Sequence, residues 1–204
     1  MTSHLRYAGA GPETQKRVLE AIIRSQPVLM NVLEGLRALA LPDHLLVSGA
    51  IYNSVWNTLT ARPALTGIND IDVIYFDASD IGWEAEDDVI KRLTARFAEL
   101  PLPVQARNQA RVHVWFEQKF GTPFAPLRSS AEMLGRYASK CHAVGARLNA
   151  TDELEIVAPF GLDDLFSFRV MPNPVLDNRL THTQKGARAQ AIWPELTITP
   201  WPET

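Results

Sequence analysis

The sequence predicts an α+β fold in which short apolar strands and amphipathic helices are interspersed, closed by a hairpin and a final helix. Three observations predict it. Segments with apolar residues at helical spacing alternate with short apolar, β-branched runs at residues 45–47 and 68–76. Two further runs, 144–148 and 154–157, flank the turn residues Asn149, Ala150, Thr151 and Asp152 and read as a hairpin. The 204 residues, 46% hydrophobic, suffice for one sizeable core.

In chain order, Gly11, Pro12, Glu13 and Thr14 form a helix start, after which Val18, Leu19, Ile22 and Ile23 recur on one face until Ser25, Gln26 and Pro27. Leu29, Val32, Leu33, Leu36 and Leu39 repeat the pattern over residues 28–40, and Leu41, Pro42 and Asp43 stop it. We expect these helices, residues 1–44, to pack on a core formed by residues 45–204. Leu45, Leu46 and Val47 then lead into Ser48, Gly49 and Ala50, and helical spacing resumes at Ile51, Val55, Trp56 and Leu59. A strand, a small-residue turn and a helix start present unpaired N–H groups and the positive end of the helix dipole, which favour an anion such as phosphate. Gly49 keeps a side chain from holding that anion away from the backbone. Asn53 and Asn57 form a polar stripe on this helix, expected to be solvated.

After a loop over residues 60–67, Asp70 and Asp72 stand two apart in an apolar run. On a strand they share a face, opposite Ile71 and Val73. Strand interiors are depleted in Asp, and two carboxylates roughly 6 to 7 Å apart repel unless a cation lies between them. A hard divalent cation such as Mg²⁺ suits that arrangement, since it takes one or two carboxylates and completes its shell with water and phosphate.

Residues 78–88 are acidic and read as solvated surface capping a helix over 89–100. Residues 110–116 alternate as a strand, with Val112, Val114 and Phe116 on one face and Arg111, His113 and Trp115 on the other. An aromatic and proline-rich loop over 120–126 precedes a short helix capped by Ser129 or Ser130. After the hairpin, Asp163 and Asp164 open a short helix at 162–168, where capping explains them, and a last helix runs from 177 or 178 to about 193. It carries Lys185 and Arg188 on adjacent turns, Lys185 being the candidate phosphate contact.

The net charge of −3 and the absence of a lysine-arginine run give no global field for nucleic acid, so a nucleic-acid partner is disfavoured. The single Cys141 excludes an internal disulfide framework. Residues 1–11 hold no signal-like apolar core and no uncharged apolar run reaches 18 residues, so we expect no membrane span and a cytoplasmic protein.

The order of phosphate-type turn, helix, loop and two-aspartate strand resembles the nucleotidyltransferase superfold, also called DNA polymerase beta-like. Residues 49–56, 70–77, 108–116 and 158–166 are similar to a bacterial nucleotidyltransferase-like group of unassigned substrate. The resemblance implies a nucleotidyltransferase-like mixed sheet flanked by helices. It also implies metal-dependent transfer of a nucleotidyl group from a nucleoside triphosphate to an unknown small-molecule or protein acceptor. Asp70 and Asp72 would hold Mg²⁺, with Mn²⁺ as an alternative, and Ser48, Gly49, Ala50, Asn53 and Lys185 would hold the nucleotide. Catalytic members carry a third carboxylate on the neighbouring strand, and the matching residue here is His113, which is expected to share the catalytic role. Neutral imidazole is a poorer partner for Mg²⁺ than carboxylate. Glu117 lies roughly 13 Å further along such a strand. The alternative reading is therefore a nucleotide-binding or regulatory module with impaired turnover.

Overall fold

Helices dominate the N-terminal part of the chain because its apolar residues recur every three or four positions. The computed structural model describes residues 3–203 and begins with a 3-10 turn, Ser3–Leu5. Helices α1 (Pro12–Arg24) and α2 (Pro27–Leu39) follow, each starting on a proline, where a missing N–H costs nothing. Then come β1 (Leu45–Val47), α3 (Gly49–Leu59), β2 (Ile71–Tyr75), α4 (Trp83–Arg96), β3 (Val104–Asn108), α5 (Val112–Phe120) and α6 (Ser130–Leu134). The chain continues with β4 (Gly145–Leu148), β5 (Leu154–Val157), α7 (Asp163–Phe166), β6 (Arg169–Val170), α8 (Arg179–Ile192) and β7 (Thr197–Ile198).

Five strands form a mixed sheet in the order β3-β2-β1-β4-β5, in which β2 and β3 run parallel and the other neighbours antiparallel. The parallel pair is joined through α4, as a crossover requires. The β4–β5 pair is the expected hairpin, with Gly145 opposite Val157 and Leu148 opposite Leu154. Alternation sorts the side chains between two unequal faces. Leu46, Ile71, Val73, Tyr75 and Ala106 enter the main core with α1, α2, α3 and α4, around the fully buried Trp56 and Trp193. Leu45, Val47 and Ile74 point the other way into a small cluster with Leu134 and Ala143. Asp72 is in register with Val47 and Gln105, and so belongs to this thinner face.

Several elements differ from the sequence expectation, each for an identifiable reason. Residues 110–116 form no strand. The neighbour of β2 is β3, whose alternation of buried Val104, Ala106 and Asn108 with exposed Gln105 and Arg107 is hidden by polar residues. Two periods compete over 112–120, and the helical one wins. Val112 is buried while Val114 is 54% exposed, which an alternating strand would not allow. The break comes at Asn108, whose side chain accepts from the Ala110 N–H at 3.0 Å and starts a short 3-10 turn. The acidic run is not all surface either. Helix α4 starts at Trp83, and Glu86 is buried, accepting from the Asn108 N–H at 2.8 Å and pairing with Arg111. Asn53 and Asn57 are buried rather than solvated. Asp163 accepts from the Gly9 N–H at 2.7 Å and from Arg169 at 2.8 Å, so it ties the N-terminal segment down instead of capping its helix. The short parallel pair β6–β7 is an addition no local pattern announced.

Candidate active site

The site begins where β1 ends. Ser48 adopts φ 63° and ψ −129°, a left-handed conformation that a serine holds only under constraint from its surroundings. The constraint is visible: its N–H donates to Val144 O at 3.0 Å, and its carbonyl accepts from Ile51 and Tyr52 at 2.9 and 3.1 Å. The N–H groups of Gly49 and Ala50 precede the first intrahelical bond of α3, at the positive end of its dipole. A Cβ on Gly49 would meet the protein only at ordinary contact, 3.6 Å from Asn53 Nδ2 and 3.7 Å from the Tyr52 hydroxyl. The fold itself therefore leaves room for a side chain there, in keeping with space reserved for a ligand.

The loop after α3 is held by the two asparagines. Asn53 Nδ2 donates to Gly67 O at 3.0 Å, and Asn57 Nδ2 donates to Ala64 O and Thr66 O at 3.1 and 2.9 Å. Trp193 Nε1 donates to Asn57 Oδ1 at 3.1 Å. Gly67 has φ +72°, and a Cβ there would strike the Trp193 ring at 2.4 Å. This anchoring delivers Asp70 just ahead of β2 and Asp72 as its second residue. Asp70 thus precedes the strand, while both carboxylates border the same cavity. Gln105 Nε2 donates to Asp70 Oδ2 at 3.1 Å. The Asp72 carboxyl is pushed above its ordinary range, first by burial and then by the neighbouring Asp70 charge, with Lys185 and Arg107 partly offsetting both.

Helix α8 closes the cavity from the opposite side. Its His182 accepts from Ser139 Oγ at Nδ1 and donates from Nε2 to Thr199 O, both at 2.8 Å, which fixes the helix and the Nε2–H tautomer. Lys185 and Arg188 then face a cavity of about 530 Å³ bordered also by Ser48, Gly49, Asn53 and the two aspartates. Among the described residues, neither cation has a carboxylate within ion-pair distance. Asn53 Oδ1 is buried without a hydrogen-bond partner among the described residues. Unpaired cations, free helix N–H groups and a crowded carboxylate pair on one cavity can together receive a polyphosphate and a divalent cation.

Ser48, Gly49, Asn53, Asp70, Asp72 and Lys185 therefore converge as expected from their types, whereas two other expected residues do not. Ala50 is 1% exposed, its side chain enters the core and it borders neither cavity that reaches Asp72, so all it can offer is its N–H at the start of α3. His113 lies in α5, half-buried, and borders neither of the cavities that reach Asp72. The place abreast of Asp72 on the neighbouring strand belongs to Gln105. Sequence reasoning did not place Arg188, Tyr52, Gln105 or Arg107 here, yet Arg188 and Tyr52 border the cavity, Gln105 bonds Asp70 and the Arg107 charge acts on Asp72. Arg188 was detectable from its three-residue spacing to Lys185, which puts both on one helical face. Gln105 and Arg107 alternate with Val104 and Ala106, a weak period-two signal.

A family model described as nucleotidyltransferase matches residues 34–198, most of the chain. Among solved structures, an NMR structure described as revealing a CCA-adding enzyme head domain superposes with a TM-score of 0.72 at 29% identity. The match covers 91% of this chain and 96% of that one. A comparison with curated proteins gives no match.

Proposed function

The chain belongs to the nucleotidyltransferase family, and from that premise we propose that it transfers a nucleotidyl group from a nucleoside triphosphate to a small-molecule or protein acceptor. The observation that carries the reading is the convergence of Asp70 and Asp72 with the start of α3 and with Lys185 and Arg188 on one cavity. The Gly49 and Ala50 N–H groups and the two cations bind the phosphates by charge and hydrogen bonding. The likeness to a CCA-adding enzyme head domain supports nucleotidyl transfer in general.

The donor set suits Mg²⁺ or Mn²⁺ bound together with the substrate. Among the described residues, no group of three or more His, Cys, Asp or Glu side chains is arranged to hold a metal ion by itself. Two carboxylates plus phosphate oxygens and water match the habit of Mg²⁺, and the burial and then the Asp70 charge that raise the Asp72 carboxyl are what a divalent cation would offset. When bound there, it supplies charge neutralisation at the reacting phosphate. In the reaction, an acceptor oxygen bonds to the α-phosphorus as the bond to the bridging oxygen breaks. The electron pair leaves with pyrophosphate and the acceptor proton passes to water. Lys185 and Arg188 neutralise the departing pyrophosphate, and Gln105 holds the Asp70 carboxylate in place by its hydrogen bond.

A second reading, a nucleotide-binding module with impaired turnover, draws on Gln105 standing abreast of Asp72 where no carboxylate is available. Calorimetry with Mg²⁺ and α,β-methylene ATP tests what the two readings share. We expect binding by the wild type and none by Asp72→Asn, and equal affinity in both would remove the dyad from the site. Pyrophosphate release across a panel of acceptors then separates them, since only the enzyme releases it.

A further inference from the structure

Two cavities meet at the dyad, and their linings differ in kind. The polar one described above shares Ser48, Asp72 and Lys185 with a second cavity of about 300 Å³, and no other residue borders both. The second is lined by Trp115, Phe116, Phe120 and Tyr137, with Arg136 and His142 among them. We infer that it seats the acceptor: a small molecule with a planar apolar body, a hydroxyl that reaches Asp72 and an anionic group for Arg136. This rests on the nucleotidyl-transfer reading and adds the class of acceptor to it.

The placement follows from the direction of displacement. Attacking and leaving oxygens stand roughly in line through the transferred phosphorus. Pyrophosphate leaving toward Gly49, Lys185 and Arg188 puts the attacking oxygen on the other side of Asp72, where the second cavity opens. The acceptor hydroxyl bonds to the α-phosphorus, the phosphorus loses its bridging oxygen to pyrophosphate, and the hydroxyl proton goes to water.

The chemical class follows from the lining. Phe116 lies 6.1 Å from the Trp115 ring and 4.7 Å from that of Phe120, a connected aromatic surface of the kind that takes a flat apolar group. Phe120, 55% exposed, borders one cleft with the exposed Leu180, so that an apolar patch faces solvent beside the cavity. His142, which borders the cavity, is 3% exposed, and among the described residues its Nε2 has no hydrogen-bond partner, an unsatisfied polar atom in the cavity wall. Among the described residues, the Arg136 guanidinium has only a long 3.7 Å contact with Glu132, so it retains capacity for a carboxylate or similar anion. An adjoining cleft of about 360 Å³, bordered by Phe116, Phe120 and Leu176 and by the 75% exposed Leu180, leaves room for the remainder of the molecule. Volumes of this order suit a small ligand. A nucleic-acid strand would call for a row of phosphate contacts, and the cavity at Asp72 offers only Arg136 and Lys185.

The test titrates the full chain with anilinonaphthalene sulfonate, an aryl anion with no hydroxyl to react, in the presence of Mg²⁺ and α,β-methylene ATP. We expect fluorescence enhancement, with Phe120→Ala and Arg136→Gln each weakening aryl-anion affinity about tenfold, the equivalent of one good contact. Calorimetric affinity for the Mg²⁺-nucleotide should stay at the wild-type value in both variants. Phe120 is largely exposed, so its variant tests the cavity without disturbing the core. Wild-type aryl-anion affinity in both variants overturns the inference, as does loss of nucleotide affinity by the same factor, which would make the cavity a nucleoside pocket. A short RNA with a free 3′ hydroxyl that displaces the aryl anion and becomes nucleotidylated overturns the small-molecule class. Nucleotide bound without aryl anion sinks this inference alone. Aryl anion bound without nucleotide sinks the nucleotidyl-transfer reading and the acceptor role with it.

Discussion

Two acidic regions of this chain, only a few residues apart, are treated by the fold in opposite ways. In the run from Asp77 to Asp87, Asp77, Asp80, Glu86 and Asp87 are each met by a donor. The Ser79 hydroxyl and then its N–H, the latter at 2.9 Å, donate to Asp77 and hold its carboxyl below the ordinary range. Asp80 accepts from the Gly82 N–H at 2.7 Å, Asp87 pairs with Lys91 at 2.6 Å, and buried Glu86 pairs with Arg111. At Asp70 and Asp72 the carboxylates crowd each other, the Asp72 carboxyl is raised, and among the described residues the nearby Lys185 makes no ion pair. The richer acidic run is structural and the sparser pair is the candidate site. What distinguishes them is whether the protein satisfies the charge or leaves it to be satisfied by something bound.

The comparison predicts opposite signs for carboxylate removal, and the largest effect falls on the satisfied side. Glu86→Ala leaves Arg111 buried without its partner and should cost about 3–5 kcal/mol in urea denaturation. A stability loss under 1 kcal/mol would show the pair to be incidental.

Next comes His142, a second unsatisfied group beside the site. Burial, then Lys185 and His182, holds its pKa at about 3, against an unfolded value near 6.5. Above pH 6.5 the imidazole is neutral in both states and the native stability is complete. As pH falls from 6.5 toward 3, the unfolded chain takes up a proton that the native chain refuses, so stability drops by as much as about 1.4 kcal/mol per pH unit. The urea-derived pH profile of His142→Gln should lack that slope, so that its difference from the wild type isolates it, and identical profiles would mean that His142 titrates normally.

Asp72→Asn should raise the melting temperature of the metal-free chain, because it removes a half-buried charge facing Asp70 while the same change abolishes Mg²⁺-nucleotide binding. A lowered melting temperature would put Asp72 among the structural acids. The smallest effect on the fold is expected at Gly49→Ala. Its Cβ meets only ordinary contacts, so stability should move by no more than about 1 kcal/mol, while calorimetry should register weaker nucleotide binding. Unchanged affinity would remove the α3 N-terminus from the phosphate site.

Much of this contrast was legible before the structure. The helical periodicity of residues 18–39, the Leu45–Val47 strand, the turn at Ser48 and Gly49 and the hairpin at residues 145–157 all follow local rules of spacing and turn chemistry. The Asp70 and Asp72 pattern stood out because carboxylates in an apolar run conflict with local preference, a conflict most often tolerated where function needs it. The strand beside it did not stand out. Val104, Gln105, Ala106 and Arg107 make a faint alternation, and the stronger apolar signal at residues 110–116 belonged to a helix whose Val114 faces solvent.

The sequence by itself determined the elements whose apolar pattern has one period, together with the identity of the two carboxylates and the phosphate-type turn. Tertiary structure decided which strand lies beside Asp72, that Asn53 and Asn57 pin a loop instead of meeting water, and that Glu86 is buried with Arg111. It also brought Lys185 and Arg188 of α8 to a cavity formed by residues more than a hundred positions earlier. The physical reason is the range of the interaction. Periodicity and turn chemistry act between neighbours along the chain and can be read there. Burial, ion pairing and strand adjacency depend on distances that exist only after the chain has closed on itself.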